Sequence, residues 1–446
     1  YNLCHLGLDG LLDDPSRKPP RGHFLGARKA CSLAPQLEAI DHLTGAEVLF
    51  ESHMYSSERM TLAFLKTAVS NGAVVANYLE AQSYRTGLRG VKGVHVQDQL
   101  TGEEFPISAR ITINSAGPAA QSLNRSVPSL DLRLKRELTG LARGVHLVTR
   151  QIHPDHALAL TSQKRTEGLV TRGGRHFFII PWRNRSLIGT TNVPFQGEMD
   201  ALQVTAQDVG DFLEDINATL PELHLGRQDV HYAFTGLYPL ISKEIQPDKY
   251  QGTGEYQLID HGVQDGVAGV ITSLGAKYTT ARHLAEKTVD LAEKRLGQRK
   301  TPCRTARVPL LEGTIMNLEG FPRRKERQYA ERLDQDGVRH LIRYHGTGLD
   351  RVMETASQDP DLLEPLSPIA STYGAEVLYA VRKEMARTLE DVVFRRTGMG
   401  TIGRPDDQAL DRAAEIMAGE LGWSTEQVLR EKERVLARYI LAGEET

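Results

Sequence analysis

Hydrophobic and polar positions change their spacing several times along the 446 residues, and those changes divide the chain. Residues 1–55 hold no sustained period: Pro15, Pro19, Pro20, Gly22 and Gly26 interrupt every run, so this stretch reads as loop-rich. Regular spacing begins at Ser57. Met60, Phe64, Thr67 and Ala68 fall on one face of a helix running to Asn71, and Gly72 stands where a helix-ending glycine belongs. Ala73–Tyr78 (AVVANY) then reads as a short, doubly buried strand of the parallel type. Val91–Gln97 and Phe105–Ala109 alternate about a turn at Thr101-Gly102, which predicts a hairpin inserted between parallel strands. Arg110–Asn114 (RITIN) is another buried strand, ending in the small-residue turn Ser115-Ala116-Gly117-Pro118.

From 140 to 260 the spacing becomes that of half-buried strands: Val145–Thr149, His176–Pro181, Ser186–Thr190, Val230–Phe234 and Tyr256–Asp260, with one helix near Thr205–Thr219. This predicts a second domain on an antiparallel or mixed sheet. Val267–Thr272 (VAGVIT) returns to the buried type, followed by the turn Ser273–Lys277 and a helix over Thr279–Leu296. Its expected apolar stripe is Ala285, Val289, Ala292 and Leu296, closed by Gly297. Beyond Phe321 only helical patterns with charged faces remain. The fold class is therefore α/β, or α+β taken overall. A discontinuous α/β domain (1–138 and 262–317) encloses a sheet domain (139–261), and a helical domain (318–446) follows.

Composition narrows the function. With 40 % hydrophobic and 25 % charged residues the chain is of ordinary globular type. The 54 Lys+Arg and 57 Asp+Glu give net −3, so no basic excess points to nucleic acid. Cys4, Cys31 and Cys303 lie far apart, which excludes a disulfide framework and suits a reducing, cytoplasmic setting. No run reaches the roughly 18–20 apolar residues of a membrane span. The 15 histidines show no metal-ligand spacing, so no metal site is expected. The chain opens on Tyr1 with no signal-like segment, and reads as one whose beginning is missing.

Gly398-Met399-Gly400-Thr401-Ile402-Gly403 matches G-x-G-x-x-G literally, but Arg395-Arg396-Thr397 precedes it and Pro405-Asp406-Asp407 follows. Without a strand before it and a helix after it, it reads as a loop. Gly275-Ala276-Lys277-Tyr278-Thr279-Thr280 is stronger, because small residues between a buried strand and a helix expose backbone amides at the positive helix end. Thr279 or Thr280 could equally serve as a plain helix cap. The turn Ser115–Pro118 is its expected partner, since both follow strands of one inferred sheet. In the second domain, Ile180–Arg183 and Ile188–Asn192 pair about the polar turn Arg183–Arg185. On residue type alone, Thr191, Asn192 and the strand residue His146 are more readily structural than catalytic.

These segments together resemble the FAD-dependent glycerol-3-phosphate dehydrogenases of the aerobic, respiratory type. The resemblance rests on Tyr55–Tyr78, INSAGP at Ile113–Pro118, RGVHLV at Arg143–Val148 and FFIIPWRNRSLIGTTNVPF at Phe177–Phe195. It continues through GLYPL at Gly236–Leu240, GAKYTTARHLAEKTVD at Gly275–Asp290 and the tail segment Ala375–Thr397. It implies an FAD-binding, Rossmann-like domain, here without the strand, glycine-rich turn and helix that hold the pyrophosphate in relatives. It further implies oxidation of sn-glycerol 3-phosphate to dihydroxyacetone phosphate, a phosphate-bearing small-molecule substrate, quinone as electron acceptor and a peripheral position at the inner face of the cytoplasmic membrane. A homodimer is left open. By the same resemblance, Val75, Ser115, Ala116, Gly117, Gly275, Ala276, Lys277, Tyr278 and Thr279 lie around FAD, His146 and Lys277 are active-site groups, and Thr190 and Thr191 line the substrate pocket.

The chain departs from the family pattern at four places. Tyr238 stands where an arginine is common, Thr253-Gly254 replaces a Ser-Arg pair, Asn192 replaces an aspartate and Ala276 replaces a glycine. The first two remove guanidinium forks suited to a phosphate, leaving Arg175 and Lys243, or an arginine of the segment expected before Tyr1, as candidate charges and Tyr238 as a hydroxyl donor. Two alternatives accompany the leading reading: a flavin oxidase of another small substrate, of the amino-acid-oxidase kind, and a non-catalytic body unable to hold FAD.

Overall fold

The computed structural model describes residues 18–88, 90–130, 140–162, 176–240, 256–275 and 277–444. Arg175, Lys243, the Thr253-Gly254 pair and Ala276 lie outside these described residues. Strands β1 (His23–Gly26) and β2 (Gly45–Val48) form a hairpin around a short helix over Ala27–Leu33. Leu25, Ala30, Ala34 and Leu37 from this segment enter the same core as Val145, Leu147 and Ile179. The stretch read as loop-rich thus carries elements of its own, and its apolar residues pack on the second domain's sheet.

Helix α1 (Ser57–Ser70) begins and ends where the sequence places it, with the Ser56 hydroxyl capping Arg59 N–H and Gly72 at φ +92°. The expected parallel strand at Ala73–Tyr78 is absent. Val74 is 98 % exposed, and regular pairing begins only at β3 (Leu79–Gly87). The reason is tertiary: Asn77 Nδ2 donates to Met385 O and Tyr78 OH donates to Asp391 Oδ2 at 2.6 Å, tying the segment to the helical domain. β3 pairs antiparallel with β4 (Gly90–Asp98), and β4 with β5 (Glu104–Ser108), so the predicted hairpin is part of a three-stranded meander.

β6 (Thr112–Asn114) is shorter than the run Arg110–Asn114 and leads into the Gly117–Ala119 turn. The sheet domain holds β7 (Gly140–Arg150), β8 (Leu158–Thr161), β9 (His176–Trp182), β10 (Arg185–Gly189), β11 (Val193–Phe195) and β12 (Val230–Leu240). β10 and β11 pair with successive parts of β7, and β12 runs antiparallel to β7 over its whole length. Helix α2 (Ala206–Thr219) starts with a capping box from Thr205 and buries Phe212 and Ile216 against Val145 and Leu147.

β13 (Gln257–Asp260) corrects a second expectation. It pairs antiparallel with β14 (Val270–Leu274) rather than with the sheet domain, and β14 pairs parallel with β6. Helix α3 (Tyr278–Arg295) covers this sheet, turned from the expected stripe. Leu284 and Thr288 are buried, Thr288 Oγ1 reaching Ser273 Oγ at 3.1 Å, while Val289 is exposed. A polar pair inside the contact is what a hydrophobic count overlooks.

The remaining chain is helical, including α4 (Gln335–His345), α5 (Gly374–Lys383) and helices over Asp407–Leu421 and Thr425–Ala437. The literal G-x-G-x-x-G is a 3₁₀ turn over Met399–Ile402 after the helical segment Asp391–Arg396, with no strand before it. The expected α/β fold with a sheet domain and a C-terminal helical domain is observed.

Candidate active site

Alternation along β7 sets the site's orientation. Val145 and Leu147 point into the α2-covered core, so Gly144 and His146 face the other way. His146 pairs in register with Phe234 on β12 and with Gly189 on β10. Its ring stacks on Phe234 with centroids 5.1 Å apart and planes 4° from parallel. On the other side it occupies the room a side chain at Gly189 would need, since a Cβ there would meet Cδ2 at 2.0 Å. Burial pushes the imidazole down to about 4, so it is neutral at ordinary pH. No described residue hydrogen-bonds it.

The segment between β10 and β11 crosses over this point. Thr191 Oγ1 accepts from Val145 N–H at 2.9 Å, and Thr190 Oγ1 donates to Thr191 O at 3.0 Å. Thr190 fills the space beside Gly144, where a Cβ would meet its hydroxyl at 2.5 Å. Both threonine hydroxyls are thus engaged by the backbone they hold against β7. Tyr238 lies on β12 opposite Ala142, and its hydroxyl donates to Asn192 Oδ1. Two departures from the family pattern therefore meet in one hydrogen bond. Sequence reasoning named both residues separately and missed Phe234, Gly189 and Gly236. Only the register across three strands reveals those three.

Space opens beside this cluster. No heavy atom lies within 4 Å of a Cβ built at Gly236, in register with Gly144, nor at Gly117, whose φ is +54°. β12 runs alongside the Gly117–Ala119 turn. Because β6 and β14 are parallel neighbours, Ser115–Gly117 and Gly275–Tyr278 leave the sheet at the same, carboxyl, end. Ser115, Ala116, Gly275, Lys277, Tyr278 and Thr279 are exposed. Lys277 takes extended backbone geometry at the N-cap of α3, and its carbonyl accepts from Thr280 Oγ1 at 3.3 Å, so neither threonine hydroxyl caps the helix. Val75 is half-buried in the irregular segment before β3. Small exposed turns at the carboxyl ends of parallel strands, with open room over Gly117, fit the ring end of a flavin.

A second constellation joins this region to the helical domain. Arg59 on α1 is buried, donates Nε–H to Tyr344 O at 2.9 Å and pairs with Glu384 at 2.6 Å. Its Nη2 reaches His345 Nδ1 at 3.0 Å, and His345 Nε2 reaches Glu376 Oε1 at 3.0 Å. An arginine can only donate, so Nδ1 accepts and Nε2 carries the proton. Burial, then the Arg59 charge, lowers the His345 pKa and keeps it neutral. Lys66 completes the seam through Glu312, Glu384 and Tyr379. Arg183, from the turn between β9 and β10, donates to Tyr55 O and Gly398 O at 3.0 Å and lies over the Trp182 ring.

Fold and site together define a flavin-type scaffold with an added helical domain. A family model described as FAD dependent oxidoreductase matches residues 6–282, and one described as the C-terminal domain of alpha-glycerophosphate oxidase matches 303–428. The chain belongs to the family of FAD-dependent oxidoreductases, with FAD as cofactor. The resemblance drawn from the motifs is borne out by relatives named glycerol-3-phosphate dehydrogenase. One from Synechocystis sp. is 29 % identical over 398 residues, covering 86 % of this chain and 69 % of its own length. A mitochondrial one from Mesocricetus auratus is 30 % identical over 416 residues, covering 90 % of this chain. This chain spans 54 % of that relative, about half its length. The crystal structure of the glycerol-3-phosphate dehydrogenase from Bacillus halodurans complexed with FAD superposes with a TM-score of 0.76 at 26 % identity, over 95 % of this chain and 80 % of that one.

Proposed function

We propose that this chain carries out the FAD-dependent oxidation of sn-glycerol 3-phosphate to dihydroxyacetone phosphate. The observation that carries the reading is the slot on β7, where a neutral His146, hydrogen-bonded by no described residue, lies between Phe234 and Gly189 beside the open room over Gly236. FAD supplies the acceptor for the hydride leaving C2 of the substrate. The residues of the chain do the rest. Neutral His146 takes the hydroxyl proton on an imidazole nitrogen, and the aromatic stack limits its rotation. Lys277, exposed at the turn after β14, holds negative charge near the ring. Thr190 and Thr191 fix the pocket wall, and Tyr238 braces it through its hydrogen bond to Asn192. Ser115–Gly117 and Gly275–Thr279 embrace the ring, with Val75 on the adenine side. Charge for the phosphate comes from Arg175 or Lys243.

Electrons then pass to a membrane quinone, with the protein seated peripherally at the inner face of the cytoplasmic membrane. Among the described residues no helix is long and apolar enough to cross a bilayer. The test is bleaching of the flavin in the holoenzyme, mixed without oxygen with glycerol 3-phosphate, with glycerol or with a small amino acid. Rapid bleaching by glycerol 3-phosphate alone is the expected result. Reduction by the amino acid alone would overturn the substrate reading and leave the fold untouched.

A further inference from the structure

A cavity of about 540 Å³ opens at the opposite end of the β6–β14 sheet from the cofactor turns. Arg110 and Gly269 on its wall precede β6 and β14, whereas Ser115–Gly117 and Gly275–Tyr278 follow them. Its other charged lining residues are Arg85 at the end of β3 and Lys92 at the start of β4. Three cations thus share one cavity without an acidic residue among its lining, in a chain whose net charge is −3. No ion pair to a described residue involves any of them. Arg85 is held in place by Ser108, whose hydroxyl accepts from Nη1. All three are exposed, and a cavity lined by one sign of charge draws anions to it.

The floor is made of small residues. Gly90 (φ +129°) and Gly269 (φ +85°) lie where β4 crosses β14, and a Cβ at either would fall within 2.2 Å of Ala268 O or Val91 O. Val91 N–H donates to Ala268 O at 2.9 Å and Thr112 N–H to Gly269 O at 2.8 Å, so the crossing is rigid. Chain elements far apart in sequence therefore bring a guanidinium from β3, an ammonium from β4 and a guanidinium from the β5–β6 link to one small-residue floor. Forked donors around a floor of glycine and other small residues suit the tetrahedral oxygens of a phosphate group.

We propose that this cavity is a binding site for a phosphate-bearing anion, separate from the reaction site and independent of the activity proposed above. The probes are inorganic phosphate, pyrophosphate and ADP, titrated against the holoenzyme at constant ionic strength and followed by calorimetry. Vesicles of phosphatidylglycerol against phosphatidylcholine, read by co-sedimentation, separate a lipid headgroup from a soluble phosphate as the source. The variants are Lys92→Gln with Arg110→Gln, and Arg85→Gln alone. Both leave the glycine floor intact and keep flavin reduction at the unmodified rate. The expected result is saturable binding of at least one phosphate probe, weakened tenfold or more in the double variant and less in the single one. Binding of every probe at unaltered affinity in the double variant, or no saturable binding to the unmodified holoenzyme, overturns the proposal.

Discussion

Two histidines, half-buried His146 and buried His345, show how the same side chain is given opposite tasks. Both are kept neutral by burial. His345 is hydrogen-bonded on both ring nitrogens, to Arg59 and Glu376, and has no capacity left for a reacting group. His146 is held by shape instead, between Phe234 and the bare face of Gly189. A ring fixed by packing keeps its nitrogen lone pair; a ring fixed by hydrogen bonds has used it. The seam around His345 accordingly joins domains, and the slot around His146 is where chemistry is available.

The comparison breaks most directly at the slot. His146→Asn should slow flavin reduction by the substrate by about a hundredfold to ten-thousandfold, the usual contribution of a positioned general base. Stopped-flow reduction measures it, with the unfolding midpoint nearly unchanged. At the seam the expectation reverses. Arg59→Ala leaves buried Glu384 with Lys66 as its remaining cation, and breaking one buried pair costs about 3–5 kcal/mol. Urea unfolding should show this loss, while the folded fraction reduces its flavin at the ordinary rate.

Acid should separate the two regions by pH window. The His146 pKa falls from 6.5 unfolded to about 4 folded, so the unfolded chain binds the proton first. The stability due to this neutral imidazole is complete above pH 6.5 and is lost as pH falls towards 4, on the order of 3 kcal/mol. Burial pushes the Glu384 carboxyl up, but the cations beside it, Arg59 first and then Lys66, outweigh it and hold the group at about 2. Its contribution is complete above pH 4.5 and is lost between there and about 2. Unfolding free energies measured across this range should fall in two steps, and His146→Asn should remove only the upper one. The smallest effect belongs to Tyr238→Phe, which deletes one neutral hydrogen bond. It should lower turnover roughly two- to tenfold, about 0.5–1.5 kcal/mol. A hundredfold loss would give Tyr238 a larger role than a single neutral donor explains.

What the sequence by itself determined is local and periodic. Helix α1 with its Ser56 cap and Gly72 stop, the alternating strands of the second domain, the α2 capping box and the helical tail all follow from neighbours a few residues apart. So does the family, because its motifs are short stretches in a set order. What only the tertiary structure decided depends on partners far away in the chain. Ala73–Tyr78 has the residues of a strand, yet Asn77 and Tyr78 are bound by Met385 and Asp391, more than 300 residues on. Gln257–Asp260 alternates like its predecessors, yet its backbone pairs with β14. His146 looks like any strand histidine until register sets it against Phe234 and Gly189, and no spacing along the chain encodes that register. Periodicity tells a segment which of its faces is apolar; the cross-chain hydrogen bonds and packing that select its partner are settled only when the whole chain competes for them.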